Sequence, residues 1–114
     1  MKWQKINITD LQECQQQLYD IGASLYQLPS WLQAFQNIGF FKPRYYKYTT
    51  QNGFAYCGLL SMQIGIVKAA ILSHGPVLHN VDEYVLNELL DSLKDEGFTF
   101  VRISGQIVDR LKTL

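Results

Sequence analysis

Residues 45–62 read YYKYTTQNGFAYCGLLSM, two β-prone runs on either side of Gln51-Asn52-Gly53. Asn and Gly both accept the positive φ of a tight turn, so this stretch predicts a β-hairpin. A third antiparallel strand is expected over Ile66–Ser73, joined through Gly65. It should end at His74-Gly75-Pro76, because proline has no amide hydrogen with which to continue a ladder.

Two helices are predicted upstream of the hairpin, after a first strand around Trp3–Ile8. Thr9 and Gln12 have the spacing of a capping box, which predicts a helix through about Tyr19. A second helix is expected over Pro29–Ile38, with proline tolerated in the first turn. Apolar residues at helical spacing should form the buried faces of these helices: Leu11, Cys14 and Leu18 in the first, and Leu28, Trp31 or Leu32, Phe35 and Ile38 in the second.

A long helix and a final strand are predicted downstream. Asn80 and Glu83 have the spacing of another capping box, and Gly97 is expected to close the helix. The buried stripe of this helix should consist of Tyr84, Val85, Leu89, Leu90 and Leu93. Phe98–Ser104 is apolar at adjacent positions, which favours a strand buried on both faces and parallel to the strand before the helix. The whole order predicts an α/β (α+β) unit, a mixed, mostly antiparallel sheet with flanking helices.

Length and composition predict one globular domain over residues 1–114. Ten basic and ten acidic side chains give a net charge of +0, which removes any whole-surface attraction to nucleic acid or to an acidic membrane. Cys14 and Cys57 lie far apart and no signal-peptide pattern is present, so both are interpreted as reduced thiols in a soluble cytoplasmic protein. The apolar run Gly53–Leu72 is interrupted by polar residues such as Lys68, which favours two buried strands over a membrane span.

One segment has the composition of a nucleic-acid-binding surface. Residues 42–48 interleave three basic side chains with three tyrosines, as single-strand binders do. Alternation along a strand, however, places the even-numbered residues on one face and Tyr45 and Lys47 on the other, which splits the patch. The predicted helix after Asn80 is strongly acidic and repels nucleic acid. Nucleic acid is therefore not expected as a general partner.

Few residues have the pattern of a catalytic or metal site. His74 and His79 are the only imidazoles, and they lack the paired spacing and nearby cysteines of a metal site. The sequence contains neither a Gly-x-Ser-x-Gly elbow nor a phosphate-binding loop that ends in Gly-Lys-Ser or Gly-Lys-Thr. Cys14 is interpreted as a core residue rather than a nucleophile. His74 has two interpretations, a turn residue held by backbone contacts or a contact for a ligand phosphate or carboxylate beside a helix N-terminus.

Several short motifs follow one another in a fixed order from Gln27 onward. They are QLPSWLQAF at residues 27–35, Gly39-Phe40 before a tyrosine-rich strand, Gly53 with small apolar residues, and Gly75-Pro76-Val77 before an acidic helix. In order and spacing this pattern resembles the first half of the FemABX peptidyltransferases, acyltransferases of the Gcn5-related N-acetyltransferase fold. The resemblance spans about residues 25–104. It implies that residues 1–114 are a single FemAB-like half-domain whose C-terminal half is missing.

The resemblance also implies a chemistry. FemABX enzymes transfer amino acids from aminoacyl-tRNA to peptidoglycan precursors, which implies acyl or aminoacyl transfer to the amine of such a precursor. Substrate-binding roles are expected for Trp31, Tyr46, His74 and Gly75, and no catalytic residue is assigned. The turn region 73–80 has one glycine, and its proline removes an amide donor, so this chain alone is expected to bind no cofactor. An aminoacyl-tRNA or acyl-CoA donor would require the second half.

Two functions are open on this basis. The first is a FemAB-like acyltransferase module, inactive alone, that acts on a cell-wall precursor or another small amine. The second is a non-catalytic binding or assembly module that homodimerises or pairs with a second half. In that case a second copy would cover the sheet edge and the apolar residues of the segment 107–114.

Overall fold

The computed structural model describes residues 3–35 and 41–104, which form a six-stranded sheet and three α-helices. The strands are β1 (Gln4–Lys5), β2 (Lys42–Thr49), β3 (Phe54–Ile64), β4 (Val67–Ser73), β5 (Val77–His79) and β6 (Phe100–Ser104). The helices are α1 (Leu11–Asp20), α2 (Pro29–Gln33) and α3 (Tyr84–Asp95), with 3₁₀ turns at Ile8–Asp10 and Leu25–Gln27.

The sheet is open and mostly antiparallel. Its order is β1-β2-β3-β4-β6, and β4 pairs with β6 in parallel while the other neighbouring pairs are antiparallel. The β2–β3 hairpin closes with Thr49 opposite Phe54, and the apolar run 53–72 forms β3 and most of β4. These findings confirm the mixed α+β class, the hairpin and the parallel last strand. No helix in the described part of the chain is long and apolar enough to cross a membrane.

The short strand β5 was not predicted, and it changes the surroundings of His74. β3 pairs with β4 over Leu60–Ile64 but with β5 over Phe54–Tyr56. Residues 57–59 of β3 therefore have no strand partner on this side. β5 lies between His74 and α3 along the chain, so α3 begins at Tyr84 rather than directly after the turn at His74.

The main core lies between α3 and one face of the sheet. Val85, Leu89 and Leu93 are buried there as predicted. Tyr84, which was predicted to be buried, is 54% exposed, and Leu90 is only half-buried. Leu86, which was not predicted, is buried in this core. Sheet residues at alternate positions supply the rest of this core. Its buried members are Trp3, Tyr46, Tyr48, Ala55, Cys57, Leu59, Ala70, Leu72, Val85, Leu86, Leu89, Leu93 and Phe98.

The opposite face of the sheet is covered only in part. Cys14 and Leu18 of α1 form a smaller cluster with Tyr56, against which Ala23 and Leu28 also pack. Further along the sheet this face is less buried, and Phe100 of β6 is 59% exposed. The prediction that the last strand is buried on both faces is therefore wrong. Alternation along β2 is confirmed, because Tyr46 and Tyr48 belong to the α3 core and Tyr45 packs on the other cluster.

Helix ends and turns differ from the predicted local motifs. The helices begin later than the two capping boxes predict, because the N-cap of α1 is Asp10 rather than Thr9 and that of α3 is Glu83 rather than Asn80. Asn80 instead has a φ of 56° before the helix. Gly97 ends α3 with a φ of 96°, as predicted, whereas Gly53 is not among the residues with positive φ. The part of the second helix predicted beyond Phe35 lies outside the described residues.

Candidate functional site

The gap beside β3 is filled by the side chain of Gln27. The amide of Gly58 donates to Gln27 Oε1 at 2.9 Å, and Gln27 Nε2 donates to the carbonyl of Gly58 at 3.0 Å. Nε2 also donates to the carbonyl of Ser73, the last residue of β4, at 2.8 Å. Gln27 is 0% exposed. Its carboxamide thus takes the place of a peptide group between β3 and β4.

The chain reaches this position through a short, well-defined turn. The hydroxyl of Ser24 accepts from the amide of Tyr26 at 3.3 Å, and the amide of Gln27 donates to the carbonyl of Ser24 at 3.0 Å. Leu28 is extended, as a residue before proline prefers, and α2 begins at Pro29. The turn buries Gln27 and leaves Tyr26 on the surface, 42% exposed.

Gly75 lies directly against the Gln27 amide. A Cβ at position 75 would come within 2.6 Å of Gln27 Cδ, so only glycine permits this approach without a shift. Gly75 and Pro76 are both buried, and the peptide bond between them is cis. Gln27 packs against this turn, and His74 lies just before it, at the end of β4, with a φ of 57°.

An aromatic cluster forms on the surface beside the buried Gln27 carboxamide. The Tyr26 ring stacks on His74 with centroids 4.8 Å apart and an angle of 15°. The other neighbour of Tyr26 is Trp31, edge-on at 5.4 Å, and Trp31 in turn meets Phe35 at 5.7 Å. Three of the four predicted substrate-binding residues, Trp31, His74 and Gly75, therefore come together.

Tyr46, the fourth predicted residue, lies elsewhere. It is 3% exposed in the α3 core, and its hydroxyl donates to Glu96 Oε2 at 2.7 Å. Burial, and secondarily the bond to Glu96, raises the pKa of Tyr46 well above its usual range. The Tyr46 side chain thus lies on the α3 face of the sheet and does not join the aromatic cluster.

Sequence reasoning missed Tyr26 and Gln27, which connect the other three residues. In the sequence, Gln27 is only the first residue of the motif at 27–35, because the gap that it fills depends on how β4 and β5 both pair with β3. The signal available in the sequence was a serine two residues before a tyrosine, followed by Leu28-Pro29, a pattern typical of a turn that leads into a helix.

The buried thiols are not poised for nucleophilic chemistry. Burial raises the pKa of Cys14 to about 11, an effect only partly offset by the charge of Lys47. Burial likewise raises the pKa of Cys57 far above its usual range. Both side chains are therefore protonated near neutral pH, and the interpretation of Cys14 as a core residue is confirmed.

No protein-family model, curated protein or solved structure matches this chain. The resemblance to FemABX enzymes therefore stays a prediction from the sequence. Within residues 3–35 and 41–104, no group of three or more His, Cys, Asp or Glu side chains has the arrangement of a metal site. The described chemistry is an aromatic surface held in place by a buried amide.

Proposed function

We propose that this chain is the acceptor-binding half of a FemAB-like acyltransferase, which holds the amine of a peptidoglycan-type precursor for acyl or aminoacyl transfer. The observation that supports this proposal is that Trp31 comes close to the turn His74-Gly75, from a distant part of the sequence: Trp31 and His74 both contact Tyr26, and Gly75 lies against the neighbouring Gln27. In the Gcn5-related N-acetyltransferase fold that we propose, this chain would be one half. The donor, aminoacyl-tRNA or acyl-CoA, would bind to the other.

The aromatic cluster suits an acceptor that contains sugar rings and peptide groups. Tyr26 and His74 are accessible on the surface, and Trp31 is half-buried beside them. Aromatic faces offer a large contact area with little loss of side-chain freedom on binding. Gln27 fixes the backbone beneath Tyr26 and the turn beneath His74, so the stacked pair is organised before a ligand arrives.

Acyl transfer of this kind requires positioning more than a side-chain nucleophile. Holding an amine against an activated carbonyl supplies much of the rate enhancement, and backbone donors stabilise the developing charge. The absence of an activated thiol among the described residues is compatible with that chemistry. The isolated half should bind an acceptor weakly, with about 4 to 6 kcal/mol, because no second half closes over the ligand.

The two tryptophans provide a direct test by NMR. The Trp3 indole is buried in the α3 core, where its Nε1 donates to the carbonyl of Val85 at 2.8 Å, whereas Trp31 belongs to the aromatic cluster. Titration of the labelled chain with a uridine-diphosphate-linked muramoyl pentapeptide should shift the Trp31 indole signal and leave that of Trp3 unchanged. His74→Ala should weaken this binding several-fold, while the matched control His79→Ala should not. Unchanged Trp31 signals, or equal effects of the two histidine variants, would contradict the proposal.

A second candidate, a homodimeric assembly module, is favoured by the uncovered part of the sheet. Ile64, Ile66, Val67 and Phe100 are all at least half exposed around the β3–β4 turn and β6. An apolar surface of this kind is typical of protein contacts. If a second copy covers it, light scattering should show a dimer. Phe100→Lys should dissociate this dimer, whereas Tyr19→Lys, at an exposed aromatic residue on α1, should leave it intact. A monomer at high concentration excludes this function.

A further inference from the structure

The loop between β2 and β3 contains the single Asn-Gly pair of the sequence. Asn52 is exposed in this loop, and Gly53 after it is half-buried. Asparagine is one of the chemically labile residues of proteins, because the backbone nitrogen of the next residue can attack its side-chain carbonyl carbon, Cγ. Glycine hinders this attack least, since it has no Cβ. The pair therefore has the local chemistry of a deamidation site.

Packing, rather than turn conformation, requires the glycine. Gly53 is not among the residues with positive φ, so its backbone angles are open to other residues. A Cβ at position 53, however, would meet the backbone carbonyl oxygens of His79 and Asn80, the second at 2.7 Å. His79 belongs to β5 and pairs with Phe54 at the start of β3. The labile pair thus lies directly against the end of β5.

Thr50 holds the nitrogen that would attack. The amide of Gly53 donates to Thr50 Oγ1 at 3.0 Å, and Thr50 Oγ1 donates to the carbonyl of Gly53 at 3.1 Å. The amide of Thr50 donates to the same carbonyl at 3.0 Å. Attack on Cγ of Asn52 requires the Gly53 nitrogen to lose its hydrogen and to turn away from Thr50. Both steps break the bond to the Thr50 hydroxyl.

We propose that Asn52 is a site of spontaneous deamidation whose rate is held down by the hydroxyl of Thr50. In this reaction the Gly53 nitrogen loses its proton and forms a bond to Cγ of Asn52. The bond from Cγ to Nδ2 breaks, and Nδ2 leaves with that proton as ammonia. Solvent water then opens the cyclic imide at either carbonyl, which gives aspartate or isoaspartate. The proposal does not rest on acceptor binding.

The isoaspartate product has a structural consequence at β5. Its main chain passes through the former side-chain carboxyl, which inserts one methylene group directly before Gly53. The close approach of Gly53 to His79 and Asn80 leaves little room for a shift in that direction. The lengthened loop should therefore loosen the pairing of Phe54 with His79. β4 pairs with the other end of β3 and should be unaffected.

Timed incubation of the full chain at mildly alkaline pH tests the site. Mass spectrometry of the tryptic peptide that contains Asn52 measures its conversion. Thr50→Val should raise the rate about tenfold, the upper value for the loss of one hydrogen bond. Thr50→Ser keeps the hydroxyl and should keep the slow rate. The matched control Thr49→Val removes the hydroxyl of an exposed neighbour and should leave the rate unchanged.

Two comparisons separate protection by Thr50 from general loosening of the fold. Leu89→Ala weakens the α3 core rather than the loop and should not accelerate the reaction. In urea, where the loop bonds are absent, wild type and Thr50→Val should react at the same rate, which should exceed that of the folded wild type. In the isoaspartate fraction, amide hydrogen exchange should be faster in β5 and unchanged in β4.

Four outcomes would overturn the proposal. A wild-type rate as slow in urea as in the folded chain would show that the structure gives no protection. Acceleration by Thr49→Val or Leu89→Ala equal to that by Thr50→Val would show general opening rather than loss of one bond. An effect of Thr50→Val that persists in urea would show an influence of the local sequence alone. Unchanged exchange in β5 of the isoaspartate fraction would contradict the structural consequence.

Discussion

Removing the polar atoms of Gln27 should strongly destabilise the fold. The change is Gln27→Leu, which keeps a side chain of similar size but eliminates three hydrogen bonds, one accepted from Gly58 and two donated to Gly58 and Ser73. It removes the Gln27 partner from the buried amide and carbonyl of Gly58 and from the partly buried carbonyl of Ser73. Each loss costs about 1 to 3 kcal/mol.

We expect Gln27→Leu to lower the free energy of unfolding by about 3 to 5 kcal/mol. This value is in the lower part of the summed penalty for the three groups, because some water can enter the gap. Domains of this size are stable by about 5 to 15 kcal/mol, so the variant should be near its folding limit. Urea unfolding followed by circular dichroism measures the difference. The control Gln12→Ala, an exposed glutamine on α1, should cost less than about 0.5 kcal/mol.

Comparison with Gln27→Ala separates hydrogen bonding from packing. If the bonds are what stabilise the gap, leucine should restore none of the stability that alanine loses, because it fills the space without satisfying Gly58 or Ser73. If packing is the main contribution, leucine should be close to wild type. A Gln27→Leu variant within about 1 kcal/mol of wild type would refute the role of Gln27 as a substitute peptide group.

Gln27→Glu adds a pH signature with a defined sign. Burial among carbonyls should raise the pKa of the introduced carboxyl above its value in the unfolded chain. The variant is then most stable at acidic pH, where the carboxyl is protonated and can donate, and it loses stability as the pH rises through the folded-state pKa. A variant equally stable at pH 4 and pH 7, relative to wild type, would contradict a closed, dry environment at this position.

Three further changes test the rest of the fold. Gly53→Val should cost about 1 to 3 kcal/mol by overpacking, measured in urea, because a Cβ there meets the backbone carbonyls of His79 and Asn80; a wild-type midpoint would place that turn elsewhere. Leu89→Ala should cost about 2 to 5 kcal/mol, since Leu89 is 0% exposed in the α3 core, and a change below half a kcal/mol would mean that the helix face is wrong. Burial alone would raise the pKa of Glu96, but bonds from Tyr46 and Lys5 outweigh burial and hold this pKa below its usual range. The ionised carboxylate therefore stabilises the fold at pH values above its unfolded-state pKa. This stabilisation is lost as the pH falls through the folded-state pKa. Glu96→Gln should therefore reduce the loss of stability on acidification by no more than about 1 kcal/mol, because solvent screens this pair, and an unchanged acid midpoint would exclude the contribution.

Elements with strong local periodicity were predictable from the sequence. The stripe on α3 and the parallel pairing of β6 follow from apolar spacing and from the handedness of crossovers, and both were confirmed apart from Tyr84 and Leu90. The predicted starts of α1 and α3 were too early, because the capping-box pattern assumes that the helix begins immediately after the first member. α1 instead follows a 3₁₀ turn, and Asn80 lies too far before Tyr84.

The candidate site was predictable only in part. Trp31, His74 and Gly75 were identified through motifs, but their proximity depends on Gln27, whose partners are 31 and 46 residues away in sequence. No local pattern marks a side chain that substitutes for a missing strand residue. The resemblance implied a substrate role for Tyr46, but alternation along β2 places Tyr46 on the same face as Tyr48, in the α3 core.

Gln27 also couples the surface cluster to the core. Gly58, which it binds on both sides, lies between Cys57 and Leu59, and these two side chains are fully buried against α3. On the other side of the sheet, Gln27 follows Tyr26 directly and supports the turn that carries His74. A side chain that bends or shifts this amide must therefore move the aromatic pair and the packing of β3 together. For that reason, substitutions on the exposed rings should alter ligand binding without loss of stability, whereas a substitution at Gly75 should alter both.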